Sequence, residues 1–362
     1  MIPLRAFASL AALALLFAAG AGGPSVNAQS LERFYKNKRM QIVIRTGPGT
    51  GYDLYGRLVA RHFTRHMPGP AGRMTALNKD GGGGLIATNY VGTVAPQDGT
   101  VITMVGGGLF FYQALKLGNK LQVDLRKFHW LGNVNSSNQI LMTWHKSPTR
   151  TLADAKTRET LIGATGAGSI SLQLPAVYNN TLGTKFKIVF GYQSGEIDLA
   201  MERGETEGRG TMPWNSLKSS NPQYVKEKKV NILIQVGMKK EADLPDVPLL
   251  REQKVSPEKK AVLEFISKNI ALGWPFAAAS KVPADRAKAL RAAFGATMKD
   301  PAFIAEANRL KVEVNPTSGE TLAGYVSDLL NAPQPVLDDV RAAIKPKDAE
   351  RRKGGRKSKK KK

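Results

Sequence analysis

The stretch Thr46-Gly47-Pro48-Gly49-Thr50-Gly51-Tyr52-Asp53 decides how the chain reads, because the apolar run Ile42-Val43-Ile44 leads into it and a helical pattern leads out. It predicts a strand, a glycine turn and a helix start. Glycine lets the backbone take positive φ and approach a ligand closely, and the first NH groups of the following helix have no acceptor within it. Such a turn suits an anion. Leu54, Leu58, Val59 and Phe63 then share one stripe, with Arg57, Arg61 and Arg65 mostly off it, so the helix packs one face on a sheet.

Outward from this turn the pattern repeats. Strands are predicted at 41–45, 74–78 and 100–106, separated by the helix after Asp53 and by one opened by Gly81-Gly82-Gly83-Gly84. Alternation of this kind argues for βαβ units and a parallel sheet. The third strand ends at Gly106-Gly107-Gly108, another loop built for close approach. A second α/β pattern begins after Trp130, with strands expected at 139–144, 160–164, 185–190, 205–211 and 230–236. Within it, Thr165-Gly166-Ala167-Gly168-Ser169 follows a strand and opens a helix through Leu172, Leu174 and Val177, which repeats the chemistry of the opening turn. Beyond about residue 256 the chain reads as helical, at 257–268, 283–299, 302–311 and 319–330, an amphipathic set expected to cover the first sheet.

The ends carry different information. Arg5 precedes an apolar run from Ala6 to Ala19, then small residues and Val26-Asn27-Ala28 before Gln29, the pattern of a secretory signal cleaved near Ala28. The run is shorter than the roughly 20 apolar residues of a membrane span. The chain has no cysteine, which excludes disulfides and thiolate metal sites. Its formal net charge is +24, and Arg351–Lys362 holds nine Lys and Arg with no acid. Residues 346–362 are therefore expected as a disordered basic tail, which acts as a solubilising segment or as an arm on a polyanion. Setting that run and Arg5 aside still leaves +14, which favours anionic ligands or surroundings.

Catalytic and cofactor signatures fail in turn. Gly47-Pro48-Gly49-Thr50-Gly51 is not G-x-G-x-x-G, since Tyr52 stands at the third glycine position, and no G-K-[ST] follows for a P-loop. Ser169, Ser171 and Ser194 lack the G-x-S-x-G elbow, and no histidine is tied to them by spacing. His62 and His66 share a helix face at i, i+4, yet no Glu follows His62 as H-E-x-x-H requires. Glu196, Asp198, Glu202, Glu205 and Glu207 read as a solvated acidic surface with Arg203 and Arg209 as partners. No catalytic residue, metal or cofactor is expected. What remains is two loops of backbone donors facing each other, an arrangement for recognition rather than reaction.

The order of motifs adds a resemblance. Lys38 to Ile44 followed by Gly47–Asp53, then Asn78 with Gly81–Gly84, Ala95-Pro96-Gln97-Asp98-Gly99, Ala164–Ser169 and Gly191-Tyr192 appear in sequence. Gly204–Gly208, Leu244-Pro245-Asp246-Val247-Pro248, Val282-Pro283 and Asp300-Pro301 continue it. This series, from about Lys36 to Ile344, resembles the extracytoplasmic solute receptors of tripartite tricarboxylate transporters, the Bug family. The resemblance implies a type II periplasmic binding protein fold, in which two α/β domains, crossed twice by the chain, close on a small carboxylate across a hinge. Domain 1 would comprise residues 29–137 and 255–345, and domain 2 residues 138–254. The first-domain loop would contribute Gly49, Thr50, Gly51 and Asp53, and the second Thr165, Gly166, Ala167, Gly168 and Ser169. Tyr52, Gly107 and Tyr192 complete the expected ligand-binding set, with Arg45, Arg209 and Trp214 as further residues that shape the cleft. The usual Pro-Phe/Tyr before the first loop is replaced here by Arg45-Thr46, and Tyr52 stands where a small residue is usual. The implied partners of this periplasmic monomer are a small organic acid and membrane permease subunits, with no specific nucleic acid. The competing expectation is an exported protein that binds surfaces or nucleic acid through its lysine-rich tail.

Overall fold

The computed structural model describes residues 26–69, 71–165, 169–192, 194–347 and 349–351. Its strands in chain order are β1 (Met40–Ile44), β2 (Met74–Asn78), β3 (Val101–Met104), β4 (His129–Asn133), β5 (Gln139–Trp144) and β6 (Thr160–Ala164). They continue with β7 (Phe186–Phe190), β8 (Gly208–Pro213), β9 (Val230–Val236), β10 (Pro275–Ala278), β11 (Thr317–Ser318) and β12 (Ala349–Arg351). These build two six-stranded sheets, ordered β11-β4-β10-β3-β1-β2 and β12-β7-β6-β8-β5-β9.

Each sheet joins a parallel part to an antiparallel one. In the first lobe β1 lies between β2 and β3, parallel to both, with Ile42 opposite Ala76 and Ile102. The unbroken apolar run of β1 follows from this place, since both its faces are covered and Ile42, Val43 and Ile44 are fully buried. In the second lobe β6 runs parallel to β7 and β8, while β5 pairs antiparallel with β8 and β9. The switch between parallel and antiparallel parts places the glycine turns of both lobes at one end of each sheet, where ligands bind in open α/β sheets.

Three features depart from the sequence expectations. First, β10 lies antiparallel between β3 and β4, in a stretch between two expected helices for which no strand is predicted. All four of its residues are buried, so it carries no alternation that would mark a strand. Second, the tail expected over 346–362 contains a strand: β12 pairs parallel with the edge of β7, with Ala349 against the Ile188 cluster and Glu350 at 3.6 Å from Lys187. One apolar and one acidic residue are enough to seat it on an open edge whose backbone groups need partners. Third, the chain therefore passes between lobes three times rather than twice, at 134–138, 237–274 and 319–348.

The helices place the core. Gly51–His62 packs on β1 and β2, and both Ala284–Thr297 and Gly319–Leu330 pack on β4. Pro257–Ala271 does not cover the first sheet as expected. It touches Gly107–Ala114 of the first lobe, β9 of the second and Gln334–Ala343. One apolar cluster accordingly runs from Phe110 and Trp130 through Phe265 and Val340 to Tyr178 and Phe186, and it ties the lobes together on one side. Beside this cluster the lobes part, leaving a cleft that Leu109 and Phe111 also line.

Candidate functional site: the cleft between the lobes

The opening turn is held by its own side chains. Thr50 caps the helix Gly51–His62, accepting from the backbone NH of Asp53 at 3.3 Å and donating to the carbonyl of Gly47 at 3.0 Å. Asp53, only 5% exposed, accepts from the NH of Gly49 (3.0 Å), Nε of Arg57 (2.9 Å) and Nδ2 of Asn78 (2.8 Å). Burial alone would raise its pKa, but the hydrogen bonds from Arg57, Asn78 and Gly49 outweigh it and hold the carboxyl below the usual range. Asn78 locks the far end through Thr46, whose carbonyl it meets at 2.8 Å. Asp53 thus organises the turn, with its lone pairs occupied by the protein. The NH groups of Gly51 and Tyr52 are first-turn donors for which the helix has no acceptor.

This turn carries Tyr52 to the cleft wall. The Tyr52 ring meets Trp274 edge-on at 4.5 Å, and Trp274 stacks on Tyr55 at 5.0 Å. Gly51 is required here, because a Cβ would stand 2.8 Å from the Trp274 ring. Trp274 itself leaves the hinge through Gly273, whose φ of +58° and whose approach to the Asn135 carbonyl exclude a side chain. On the other face of Tyr52 lies Arg45, its guanidinium 4.4 Å from the ring centroid and its Nη2 donating to the Gly83 carbonyl at 3.0 Å. Arg45 fits because Gly84 and Gly106 lack side chains; a Cβ on either would come 2.7 Å from its Nε. That Nε is buried without an acceptor, and Arg45 forms no ion pair among the described residues.

The cleft has a volume of about 670 Å³. Its first-lobe wall includes Tyr52, Gly83, Gly107, Gly108, Tyr112 and Trp274, and its second-lobe wall Gln139, Ile170, Gln173 and Pro213. The helix Gly107–Ala114 starts at this wall, and its first residue lacks a side-chain cap. Asn269 Nδ2 reaches the Gly107 carbonyl at 3.2 Å and fixes the loop from the lobe-bridging helix.

The expected residues fall into three groups. Tyr52 and Gly107 line the cleft, whereas Gly49, Thr50, Gly51 and Asp53 form the turn behind it. On the second lobe Ser171 gathers the loop: its Oγ accepts from the NH of Thr165 at 3.0 Å and lies 3.0 Å from Thr165 Oγ1 and 2.8 Å from Ser169 Oγ. Gly166, Ala167 and Gly168 lie outside the described residues. Tyr192 is buried beside Ile197 and Ala200. Of the further residues, Arg209 is buried and paired with Asp198 at 2.7 Å, so one member of the acidic cluster is half of an interior ion pair. Trp214 is buried against Ile140 and Leu217, with Nε1 donating to Asp243 at 2.7 Å, a core residue rather than a stacking surface. His62 and His66 face Glu306 (2.5 Å) and Asp300 (3.0 Å), joining two helices, and among the described residues no cluster of His, Asp and Glu is arranged to hold a metal. Sequence reasoning named Gly107 but missed Trp274, Phe111 and Tyr112 as parts of the cleft wall. Gly273-Trp274-Pro275, a bulky ring between two conformational restrictors, was the available signal.

No protein-family model and no curated protein matches this chain. Solved structures do. A TctC solute binding protein from Polaromonas superposes with a TM-score of 0.66 at 18% identity over 84% of this chain and 99% of its own. This chain has the type II periplasmic binding protein fold. The periplasmic binding protein BugD (TM-score 0.56, 18% identity, 87% and 100% covered) shares it. So does MatC from Rhodopseudomonas palustris with bound malate (0.57, 17%, 83% and 99%). The fold agrees with the order of motifs in the sequence, which resembles the same group of receptors.

Proposed function

We propose that this protein is a periplasmic receptor that captures a small organic carboxylate between its lobes and delivers it to the permease of a tripartite tricarboxylate-type transporter. The observation that carries this reading is the uncapped start of Gly107–Ala114, aimed with Gly83 and Tyr52 into an interlobe cleft, opposite the start of a second-lobe helix at Ile170 and Gln173. Amide donors at a helix N-terminus favour a carboxylate by charge and by hydrogen bonding. An acid that touches both walls interacts better with the closed form and shifts the population towards it. The apolar cluster that joins the lobes reaches the floor of the cleft at Leu109 and Phe111, so closure would be a hinge motion about the three crossing segments beside it. The expected division, 29–137 with 255–345 against 138–254, suits such a motion, with β12 added to the second lobe. Glycines 166 and 168 of the second loop would supply its donors, and the receptor would act as a monomer without catalysing a reaction.

Thermal unfolding against a panel of organic acids tests the reading. A ligand at about 100 times its Kd stabilises the native state by about 2.7 kcal/mol. A cooperatively melting protein that no acid in a broad panel stabilises would refute it.

A further inference from the structure

We infer that the ligand carries a single carboxylate on an aromatic or extended apolar body, and that Arg45, Tyr52 and Trp274 impose this preference. The inference rests on the receptor reading above and narrows it.

Charge is the first argument. Among the described residues no Lys, Arg, His, Asp or Glu lines the cleft, and its polar groups are neutral, on Ser137, Gln139, Gln173 and Asn269 and at the tips of Tyr52, Tyr112 and Trp274. A buried carboxylate needs a cation or several converging NH donors to replace the solvation it loses. Among the described residues a cation and converging NH donors meet at one end of the cleft. Arg45 stands directly behind the wall formed by Tyr52 and Gly83, unpaired with any carboxylate among the described residues, and the NH groups of Gly107 and Gly108 open the neighbouring helix. One carboxylate is accommodated at that end. A second one beside Trp274, Ile270 and Leu117 would face apolar surface with no cation lining the cleft among the described residues.

Shape is the second. Tyr52, Phe111, Tyr112 and Trp274 contribute four rings to the wall, and about 670 Å³ leaves room well beyond a four-carbon acid. The rings are held before any ligand arrives: Arg45 covers one face of Tyr52, Trp274 meets its edge, and Tyr55 backs Trp274. A ring-bearing ligand therefore gains stacking and apolar contact with little ordering of the protein. Arg45 and Tyr52 are also, with Thr46, positions at which this sequence departs from the pattern of the receptors it resembles.

Calorimetric titration of the full chain with hexanoate, adipate and 3-phenylpropanoate separates the arguments. Hexanoate and adipate differ only in the second carboxylate, and phenylpropanoate adds the ring. We expect 3-phenylpropanoate to bind about five- to tenfold more tightly than hexanoate, and adipate at least about tenfold more weakly than hexanoate. Tyr52→Leu should remove the advantage of the ring and leave hexanoate within about twofold. Arg45→Met should weaken all three acids at least about tenfold. Leu117→Arg, at a cleft-lining position that is 49% exposed and hence tolerant, should improve adipate at least about fivefold by supplying the missing cation. Adipate binding as tightly as hexanoate, or Arg45→Met leaving affinity unchanged in a folded protein, overturns this inference and leaves the receptor reading standing. Failure of every acid to bind overturns both.

Discussion

Replacing Asp53 by Ala separates a residue that builds the turn from one that touches the ligand. The carboxylate accepts three hydrogen bonds, from Gly49, Arg57 and Asn78, at 2.8–3.0 Å. The Arg57 side chain is 42% exposed, so this i, i+4 ion pair is screened and contributes about 0.5 kcal/mol. The bond from the partly buried Asn78 contributes about 1.5 kcal/mol, as for a charged acceptor, and the one that fixes Gly49 about 1 kcal/mol. Asp53→Ala should thus cost about 3 kcal/mol and lower Tm by about 4 °C. The sign of the pH dependence follows from the depressed pKa. The stabilisation is fully present above the unfolded value, about pH 4, and is lost as pH falls through the folded one. The gap between native protein and Asp53→Asn, followed by circular dichroism melts from pH 7 downwards, should therefore hold to about pH 4 and then close. Tm unchanged at pH 7 in Asp53→Ala, together with abolished acid binding, would refute the reasoning and make Asp53 a ligand contact.

Further expectations are as follows. Gly51→Ala places a methyl 2.8 Å from the Trp274 ring and should cost about 1–3 kcal/mol by overpacking, with a shift in tryptophan emission and weaker acid binding. Asp198→Ala removes the carboxylate paired with Arg209, whose side chain is 8% exposed, and should destabilise the protein by about 3 kcal/mol in urea unfolding, whereas Glu205→Ala at the surface should change it by less than about 0.5 kcal/mol. Glu306 titrates below the ordinary glutamate range, chiefly through its bond from His62 and despite its partial burial, so His62→Gln should move its NMR titration upwards. Deleting residues 349–362 should remove salt-dependent polyanion binding and leave acid binding in place, at a stability cost of about 1–2 kcal/mol for the lost edge strand.

The first half of each lobe was legible because it obeys two periods. The β1 run, the stripe of Leu58, Val59 and Phe63, and the glycine loops between them each signal their state locally, and β5 to β9 fall close to the expected positions. What escaped was tertiary in origin. β10 is buried on all sides and β11 has two residues, so neither shows alternation. β12 exists because β7 leaves an edge that a short segment can satisfy. At the site, the sequence marked where glycines allow close approach but not what approaches. Gly51 makes room for Trp274, Gly84 and Gly106 for Arg45, and in both cases the beneficiary is a protein side chain. Asp53 carries a charge next to an anion-type turn, and only its three partners show that the protein itself consumes that charge.

The third passage of the chain has a consequence for how the molecule is made. The first sheet needs β10 and β11, and the second needs β12, so each includes strands from the last quarter of the sequence. Neither lobe can be completed while that quarter is still in the ribosome, and residues 138–254 cut out alone would keep a raw edge on β7. Contacts this distant in sequence close slowly, since the loop entropy is spent before they form. A chain emerging with its N-terminus first therefore keeps its first sheet incomplete until β10 and β11 have emerged, which favours passage through a narrow pore before folding.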